Sequence, residues 1–248
     1  MRFLRVAIFF SVGLLVKFAE AQTLVASSGK NHVQLVELFS SESCSSCPPA
    51  DEWVSGLKDR SGLFTRFVPV VFHVDYWNHL DWKDEFSSND MTRRQQRLAQ
   101  TWSQPAVYTP GFIVDGKEWR GWRESTLPRE ERPSSIELKV FKETDGNYSV
   151  QAEGLRSGTS YSIRIAKLGL GIVSKIASGE NSGKTLTHDF VVLDWKTKAV
   201  SDGKDSKVRF DAFATLDKKK TASKFAVVAW IEKTNSPAPL QAAGALLK

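Results

Sequence analysis

The sequence predicts an α/β domain followed by an antiparallel β-sandwich domain. Up to about residue 123, continuous apolar runs alternate with helix-like segments, and beyond it short segments alternate apolar with polar residues. A charged stretch with two prolines lies between the two patterns. We therefore expect a leader at residues 1–21, a first domain at 31–123, a linker at 124–135 and a second domain at 136–248.

The first domain is predicted to begin with a strand and a helix. Residues 33–39 are nearly continuously apolar, which is typical of a strand buried on both faces. Pro48 and Pro49 are acceptable in the first turn of a helix, which we expect to run to about residue 57. The only two cysteines of the chain lie between this strand and this helix.

A second strand, a second helix and a hairpin are predicted to complete the first domain. Residues 67–74 form another buried apolar run. Ser88 and Asn89 are cap candidates for a helix within residues 87–102, whose arginines we expect on its solvated face. The apolar residues 112–114, followed by Asp-Gly at 115–116, predict a strand that enters a tight hairpin.

The second domain is predicted from period-two segments that are separated by Gly, Asn, Asp and Ser turns. These segments are residues 136–140, 148–152, 161–165, 189–195, 207–213 and 225–231. This half has no cysteine and a single histidine, His188. We therefore expect its polar residues to face solvent and the domain to serve structure or partner binding.

The N-terminus predicts export. Residues 1–21 have a basic start, an apolar stretch and an Ala-Glu-Ala cleavage pattern. The apolar stretch is too short to span a bilayer comfortably, so we expect a periplasmic or secreted protein with no stable membrane insertion after cleavage. Cleavage lowers the formal net charge from +6 to +4. This mildly basic balance, without a base-stacking motif, predicts no binding of nucleic acid.

The pair Cys44 and Cys47 predicts thiol chemistry. At a helix N-terminus, unpaired N–H groups and the dipole favour a thiolate, so Cys44 is the expected nucleophile. A disulfide that closes so small a ring stabilises a chain by only about 2 kcal/mol, against about 4.7 kcal/mol for a 100-residue loop. A redox-active pair is therefore favoured, and a metal site and an inert bridge are the alternatives.

Glu37 is a candidate acid of the same site. It lies within the first apolar strand, where a buried carboxyl has a raised pKa and can accept or relay the proton of Cys47. A glutamate at a strand edge that faces water is the alternative interpretation.

The segment after the second strand, residues 73–84, is rich in His, Asp and Trp. Because it emerges beside the first helix, we expect His73, Asp75 and Trp77 to contact substrate. The two cysteines with His73 or His79 also make a formal Cys2His2 set for zinc or copper. This metal interpretation competes directly with catalysis.

The order of apolar strand, Cys-x-x-Cys, helix, and a later Thr-Pro before a strand and hairpin resembles the thioredoxin-like superfamily over about residues 31–123. The resemblance implies that the Thr109–Pro110 bond is cis, faces the sulfurs and leaves the backbone of Thr109 free to pair with an incoming polypeptide. It also implies that Cys44 is the nucleophile, Cys47 the resolving thiol and Glu37 approximately the buried acid.

Six further blocks of sequence resemble a bacterial family of exported thioredoxin-like proteins of unassigned function. The blocks are residues 36–39 (VELF), 44–51 (CSSCPPAD), 72–77 (FHVDYW), 82–84 (WKD), 107–110 (VYTP) and 179–188 (GENSGKTLTH). The last block lies beyond the predicted linker, so this likeness spans nearly the whole mature chain.

These observations predict an exported thiol–disulfide oxidoreductase that acts on protein thiols. The Cys44 thiolate attacks a substrate disulfide, a mixed disulfide forms, and Cys47 resolves it. Its partners are expected to be protein thiol or disulfide substrates and a redox partner, and no organic cofactor is needed. A metal-handling binding protein and a non-catalytic interaction scaffold are the alternative functions.

Overall fold

The structure is a computed structural model that describes residues 22–102, 105–124, 126–128, 131–201, 205–214 and 221–247. The leader predicted at residues 1–21 lies outside the described residues. The strands are β1 (Gln22–Ser27), β2 (Gln34–Ser40), β3 (Phe67–His73), β4 (Gly111–Val114), β5 (Lys117–Glu118), β6 (Glu137–Glu143), β7 (Tyr148–Glu153), β8 (Tyr161–Leu170), β9 (Ile172–Lys175), β10 (Thr185–His188), β11 (Val191–Val200), β12 (Ser206–Phe210), β13 (Lys224–Lys233) and β14 (Pro239–Leu246). The helices are α1 (Pro48–Ser55) and α2 (Asn89–Ala99), with 3₁₀ turns at Gly56–Asp59 and Gly121–Arg123.

One eight-stranded sheet joins the two halves of the chain, in the order β14-β13-β8-β11-β3-β2-β4-β5. β2 and β3 are parallel neighbours. β11 also lies parallel to β3, where Val191 pairs with Val71. The sheet therefore contains strands from both sides of the predicted linker at residues 124–135. Four of its eight strands come from the second half of the chain.

The predicted fold class, a thioredoxin-like α/β domain followed by an antiparallel β-sandwich domain, is wrong. The described part of the protein is mostly β, with 44% of the described residues in strands and 12% in helices. Strands that we assigned to a separate sandwich instead extend the sheet of the first half. The physical reason is that period-two alternation identifies a strand and its buried face but not the neighbour to which it pairs.

Two further sheets complete the architecture of the described residues. β1, β6, β7 and β12 form a four-stranded antiparallel sheet, and β9 pairs with β10 as a hairpin. Leu138 and Val150 of the four-stranded sheet share one apolar cluster with Ile163 and Val227 of the large sheet. A larger cluster packs α1 and α2 against the large sheet. Within the described ranges, neither helix is long and apolar enough to cross a membrane.

Two local predictions are confirmed. α2 begins directly after Ser88, whose Oγ accepts a hydrogen bond from the backbone N–H of Met91. β4 and β5 form the expected hairpin, in which Asp115 and Gly116 adopt positive φ angles of 49° and 79°. A two-residue turn with both residues at positive φ matches the twist of the strands that it connects.

Candidate disulfide site

Cys44 and Cys47 form a disulfide in the loop between β2 and α1. Cys47 caps α1 with helical dihedral angles (φ −78°, ψ −36°), and the helix begins at Pro48. Cys44 is 3% exposed and Cys47 is fully buried, whereas Ser45 and Ser46 between them are exposed. Cys44 is therefore the more accessible cysteine of the pair.

The turn between β9 and β10 holds the disulfide loop in place. The Asn181 side-chain amide is fully buried and donates to the backbone carbonyls of Glu42, at 2.8 Å, and Cys44, at 3.0 Å. The backbone N–H of Ser45 donates to Glu180 Oε2 at 3.0 Å. The second half of the chain thus contributes directly to this site, which the sequence did not lead us to expect.

Five buried titratable side chains lie beside the disulfide loop, and we call them the disulfide cluster: Glu42, Asp51, His73, Asp84 and His188. His73 Nδ1 lies 2.7 Å from Asp84 Oδ2. His188 Nε2 lies 3.4 Å from Glu42 Oε1, and His188 Nδ1 lies 3.7 Å from Asp51 Oδ2. The centroids of the two imidazole rings are 5.2 Å apart. The expectation that His188 belongs to a solvent-facing surface is therefore wrong.

Burial and ion pairing set the protonation of the disulfide cluster. Burial lowers the pKa of His73, but the carboxyl groups of Asp84, Asp51 and Glu42, with Asp84 contributing most, together outweigh burial and raise that pKa to about 9. Burial raises the pKa of Asp84, and His73 reverses this shift, so the net effect is a lowered pKa. For Asp51, burial raises the pKa by more than His188 and His73 lower it. Asp51 therefore keeps its proton to a higher pH than a solvated carboxyl does.

The disulfide cluster is incompletely hydrogen-bonded within the described residues. His73 Nε2, both ring nitrogens of His188, Glu42 Oε1 and Asp51 Oδ1 are buried without a hydrogen-bond partner there. The contacts of His188 have ion-pair distances but not hydrogen-bond geometry. A cleft of about 340 Å³ lies against Asp51, Ser55 and His188. Buried polar atoms without partners cost stability, so this arrangement calls for a functional explanation.

A groove of about 490 Å³ adjoins the disulfide loop at Ser46. Its other lining residues are Tyr108, Thr109, Pro110, Phe112, Trp119, Arg120, Trp122 and Arg123. The Thr109–Pro110 peptide bond is cis, as predicted. Trp77 Nε1 donates to Thr109 Oγ1 at 2.7 Å, so these two predicted substrate-binding residues lie together.

Two other predicted substrate-binding residues face the protein itself. His73 is fully buried in the disulfide cluster. Asp75 Oδ1 accepts a hydrogen bond from Thr92 Oγ1 at 2.6 Å, which ties the segment to α2. His79, the other histidine of the metal alternative, is exposed, and its Nδ1 lies 2.9 Å from the carbonyl oxygen of Tyr76. In the part of the chain that the structure describes, no three His, Cys, Asp or Glu side chains are arranged to hold a metal ion.

Glu37 is fully buried, as expected, but it lies on the other face of the sheet from α1. Its Oε1 accepts a hydrogen bond from Arg94 Nε at 2.5 Å. The Arg94 guanidinium lies 5.5 Å from the ring of Phe72, whereas the next residue, His73, belongs to the disulfide cluster. Successive side chains of a strand point to opposite faces, so the sheet separates Glu37 from that cluster. No described contact joins Glu37 to either cysteine, and its role in proton transfer stays a prediction.

Glu37 belongs to a set of four buried charged side chains that we call the arginine network: Glu37, Arg94, Arg164 and Glu232. Glu232 Oε1 accepts hydrogen bonds from Arg94 Nη1, at 3.2 Å, and from Arg164 Nε. Burial raises the pKa of Glu37, and Arg94 opposes this shift without cancelling it. The expectation that the arginines of α2 lie on a solvated face holds for Arg93 and is wrong for Arg94, whose charge is compensated inside the protein.

Fold and site together define a β-rich protein in which one Cys-x-x-Cys disulfide is held between the two halves of the chain. Residues 35–232 match the family described as "Protein of unknown function (DUF1223)", and the chain belongs to that family. No curated protein matches the chain.

Two solved structures are similar to the protein. One is protein AGR_C_4864 from Agrobacterium tumefaciens, with 23% identity, a TM-score of 0.63, and coverage of 87% of this chain and 95% of that one. The other is HBP35 of Porphyromonas gingivalis, with 14% identity, a TM-score of 0.56, and coverage of 89% of this chain and 76% of that one. At these identities the likeness extends to the fold alone.

Proposed function

We propose that the protein is a thiol–disulfide oxidoreductase that acts on protein thiols through Cys44 and Cys47. One observation carries the proposal: the chain's only cysteines form a disulfide directly before α1, with a groove against the loop and buried titratable groups next to it. A purely structural bridge needs neither of these neighbours. The higher exposure of Cys44 supports its assignment as the sulfur that substrate reaches.

The proposed chemistry is reversible thiol–disulfide exchange. In the oxidising direction, a substrate thiolate attacks Cys44 Sγ, the bond between Cys44 and Cys47 breaks, and Cys47 leaves with the electron pair. A second substrate thiolate then attacks the substrate sulfur of the mixed disulfide and releases Cys44 as a thiolate. Two electrons pass from the substrate dithiol to the protein. In the reducing direction, the Cys44 thiolate attacks a substrate disulfide and the same steps run backwards.

The groove supports a polypeptide as substrate. Trp119, Trp122 and Pro110 give it apolar walls, and Ser46 of the disulfide loop lines it as well. Aromatic residues in a concave surface are typical anchors for a protein partner. We place Thr109 and Trp77, which are hydrogen-bonded to each other, among the residues that bind this substrate.

We further propose that the protein is exported to a periplasmic or extracellular location, where a separate redox partner restores its starting state. The leader pattern of residues 1–21 supports export. A disulfide-bonded pair also suits such a compartment, because disulfides persist there and protein substrates carry them.

Trapping of the mixed disulfide tests the proposed function. The Cys47→Ser variant, mixed with a peptide disulfide, should accumulate a covalent adduct at Cys44 that peptide mapping identifies by mass. The Cys44→Ser variant is the matched control and should give at least about tenfold less adduct, because Cys47 has no exposed surface whereas Cys44 is 3% exposed. No adduct at Cys44, with a peptide disulfide that reacts readily with free glutathione, would contradict the proposal.

A further inference from the structure

One carboxyl of the disulfide cluster lies a single helical turn from a reacting sulfur. Asp51 follows Cys47 by four residues, and its backbone N–H donates to the Cys47 carbonyl at 3.1 Å. Cys47 already has helical dihedral angles, and residues four apart on a helix share one face. Both side chains are buried, with residue exposures of 5% for Asp51 and 0% for Cys47.

Asp51 is also connected to the outside of the protein. Its Oδ1 has no hydrogen-bond partner among the described residues, and its Oδ2 lies 3.7 Å from His188 Nδ1. Asp51 and His188 both line the cleft of about 340 Å³, so a proton that leaves this pair reaches solvent without crossing the core.

The other groups around Asp51 are less suited to carry its proton. The charged and titratable groups that surround it are His73 from β3, Glu42 from the disulfide loop, Asp84 from the loop before α2, His188 from β10, and Glu52, Lys58 and Asp189 at the cleft. Glu52 is exposed to solvent. His73 is paired with Asp84, and Lys58 Nζ lies 2.9 Å from Asp189 Oδ2. Glu42 Oε2 accepts a hydrogen bond from Trp82 Nε1 at 2.8 Å. His188 is the group left to exchange protons with Asp51.

We propose that Asp51 exchanges a proton with Cys47 during disulfide exchange and that His188 passes this proton to and from the cleft. This inference rests on the proposed function. When the disulfide opens, Cys47 leaves with the sulfur–sulfur electron pair and takes the proton of the Asp51 carboxyl. The Asp51 carboxylate then regains a proton from the cleft through His188. When the disulfide closes, Asp51 first releases its proton to the cleft through His188, and its carboxylate then takes the proton of the Cys47 thiol. The Cys47 thiolate attacks Cys44 Sγ of the mixed disulfide and displaces the substrate sulfur as a thiolate.

The test compares three variants in their reduction by dithiothreitol, followed between pH 5 and pH 9 and corrected for the thiolate fraction of the reagent. Asp51→Asn should react about 100-fold more slowly than wild type at neutral pH and lose the inflection that Asp51 gives the wild-type profile. Asp59→Asn, which changes an exposed carboxyl of the 3₁₀ turn after α1 that does not line the cleft, should stay within about twofold of wild type. Glu37→Gln tests the buried carboxyl of β2.

The outcomes separate this inference from the proposed function. Wild-type protein that reacts with neither dithiothreitol nor a peptide disulfide would overturn the proposed function. If wild type reacts and Asp51→Asn matches its rate and pH profile, the role of Asp51 is wrong while the function stands. A slower reduction of Glu37→Gln but not of Asp51→Asn would assign the proton-transfer role to Glu37 and would likewise overturn the inference.

Wild-type protein provides a second test in case Asp51→Asn does not fold. The carboxyl carbon of Asp51, observed by NMR in carbon-13-labelled protein, should titrate with midpoints that differ by at least about half a pH unit between the oxidised and reduced states, because a reduced Cys47 titrates together with it. Equal midpoints in the two states would overturn the proposal.

Discussion

The arginine network and the disulfide cluster are both buried sets of charged groups, and they lie on opposite faces of β3. The arginine network combines two guanidiniums with two carboxyls, and a guanidinium does not give up its proton in a protein. The disulfide cluster combines two imidazoles with three carboxyls, whose protons are exchangeable. Both sets leave some polar atoms unpaired. Buried charge alone therefore does not distinguish a functional site, whereas exchangeable protons next to a disulfide do.

Both regions also connect the two halves of the chain. Arg94 and Glu37 come from the first half, and Arg164 and Glu232 come from the second. In the disulfide cluster, His188 is the contribution of the second half. The comparison predicts that changes in the arginine network alter stability, whereas changes in the disulfide cluster also alter reactivity and its dependence on pH.

The largest expected effect is that of Arg94→Met. It removes the cation from between Glu37 and Glu232, and breaking a buried ion pair from one side costs about 3–5 kcal/mol. Urea denaturation measures this loss of unfolding free energy. Arg93→Met is the matched control, since the neighbouring Arg93 side chain is 68% exposed. A loss in Arg94→Met no larger than in the control would show that the network adds nothing to stability.

The second prediction concerns the pH dependence of stability that His73 introduces. Its pKa is raised from 6.5 to about 9 in the folded protein. A group with a raised folded pKa stabilises fully below its unfolded pKa and loses this contribution as pH rises through the folded value, here an amount on the order of 3 kcal/mol. Denaturant unfolding at intervals from pH 6 to pH 10 should show this decline, and His73→Gln should remove it. If the unfolding free energy of His73→Gln declines by the same amount over this pH range, a group other than His73 causes the decline.

The third prediction concerns the hydrogen bonds by which Asn181, from the second half of the chain, fixes the disulfide loop. Asn181→Ala removes the side-chain donor of the buried Glu42 carbonyl and one of the two donors of the Cys44 carbonyl, at a cost of about 1–3 kcal/mol. Hydrogen exchange should also become faster in the disulfide loop. Ser182→Ala changes the exposed neighbouring residue and should leave both measurements near the wild-type values. An unchanged rate of hydrogen exchange in the disulfide loop of Asn181→Ala would contradict the claim that the second half of the chain holds this loop in place.

Local features of this protein could be predicted from the sequence because short-range chemistry determines them. The cap at Ser88 and the hairpin at Asp115 and Gly116 each follow from a few adjacent residues. The cis bond before Pro110 was implied by the family resemblance rather than by the chemistry of its neighbours. The pairing of β11 with β3 depends on contacts between distant parts of the chain, and the alternation of a strand does not encode its neighbour.

The same limit explains what was missed in the site. Cys44 and Cys47 were found because their spacing carries the signal. His188 reaches the disulfide loop because β10 lies beside α1, where it contacts Glu42 and Asp51, and spacing along the chain does not encode this long-range contact. Asp51 had a usable signal, since a residue four positions after Cys47 on a helix lies on its face. Glu37 is conspicuous in the sequence as a carboxyl in an apolar strand, but the sequence does not reveal its partner Arg94.

The reduction potential of the Cys44–Cys47 couple tests the central claim, a redox-active rather than an inert disulfide, most directly. Equilibration of the protein in thiol–disulfide buffers of defined potential, followed by alkylation and mass measurement, gives the oxidised fraction. We predict a potential above about −300 mV, because structural disulfides typically lie below that value and resist the glutathione pool. A potential below it would contradict the account and identify the disulfide as a structural bridge.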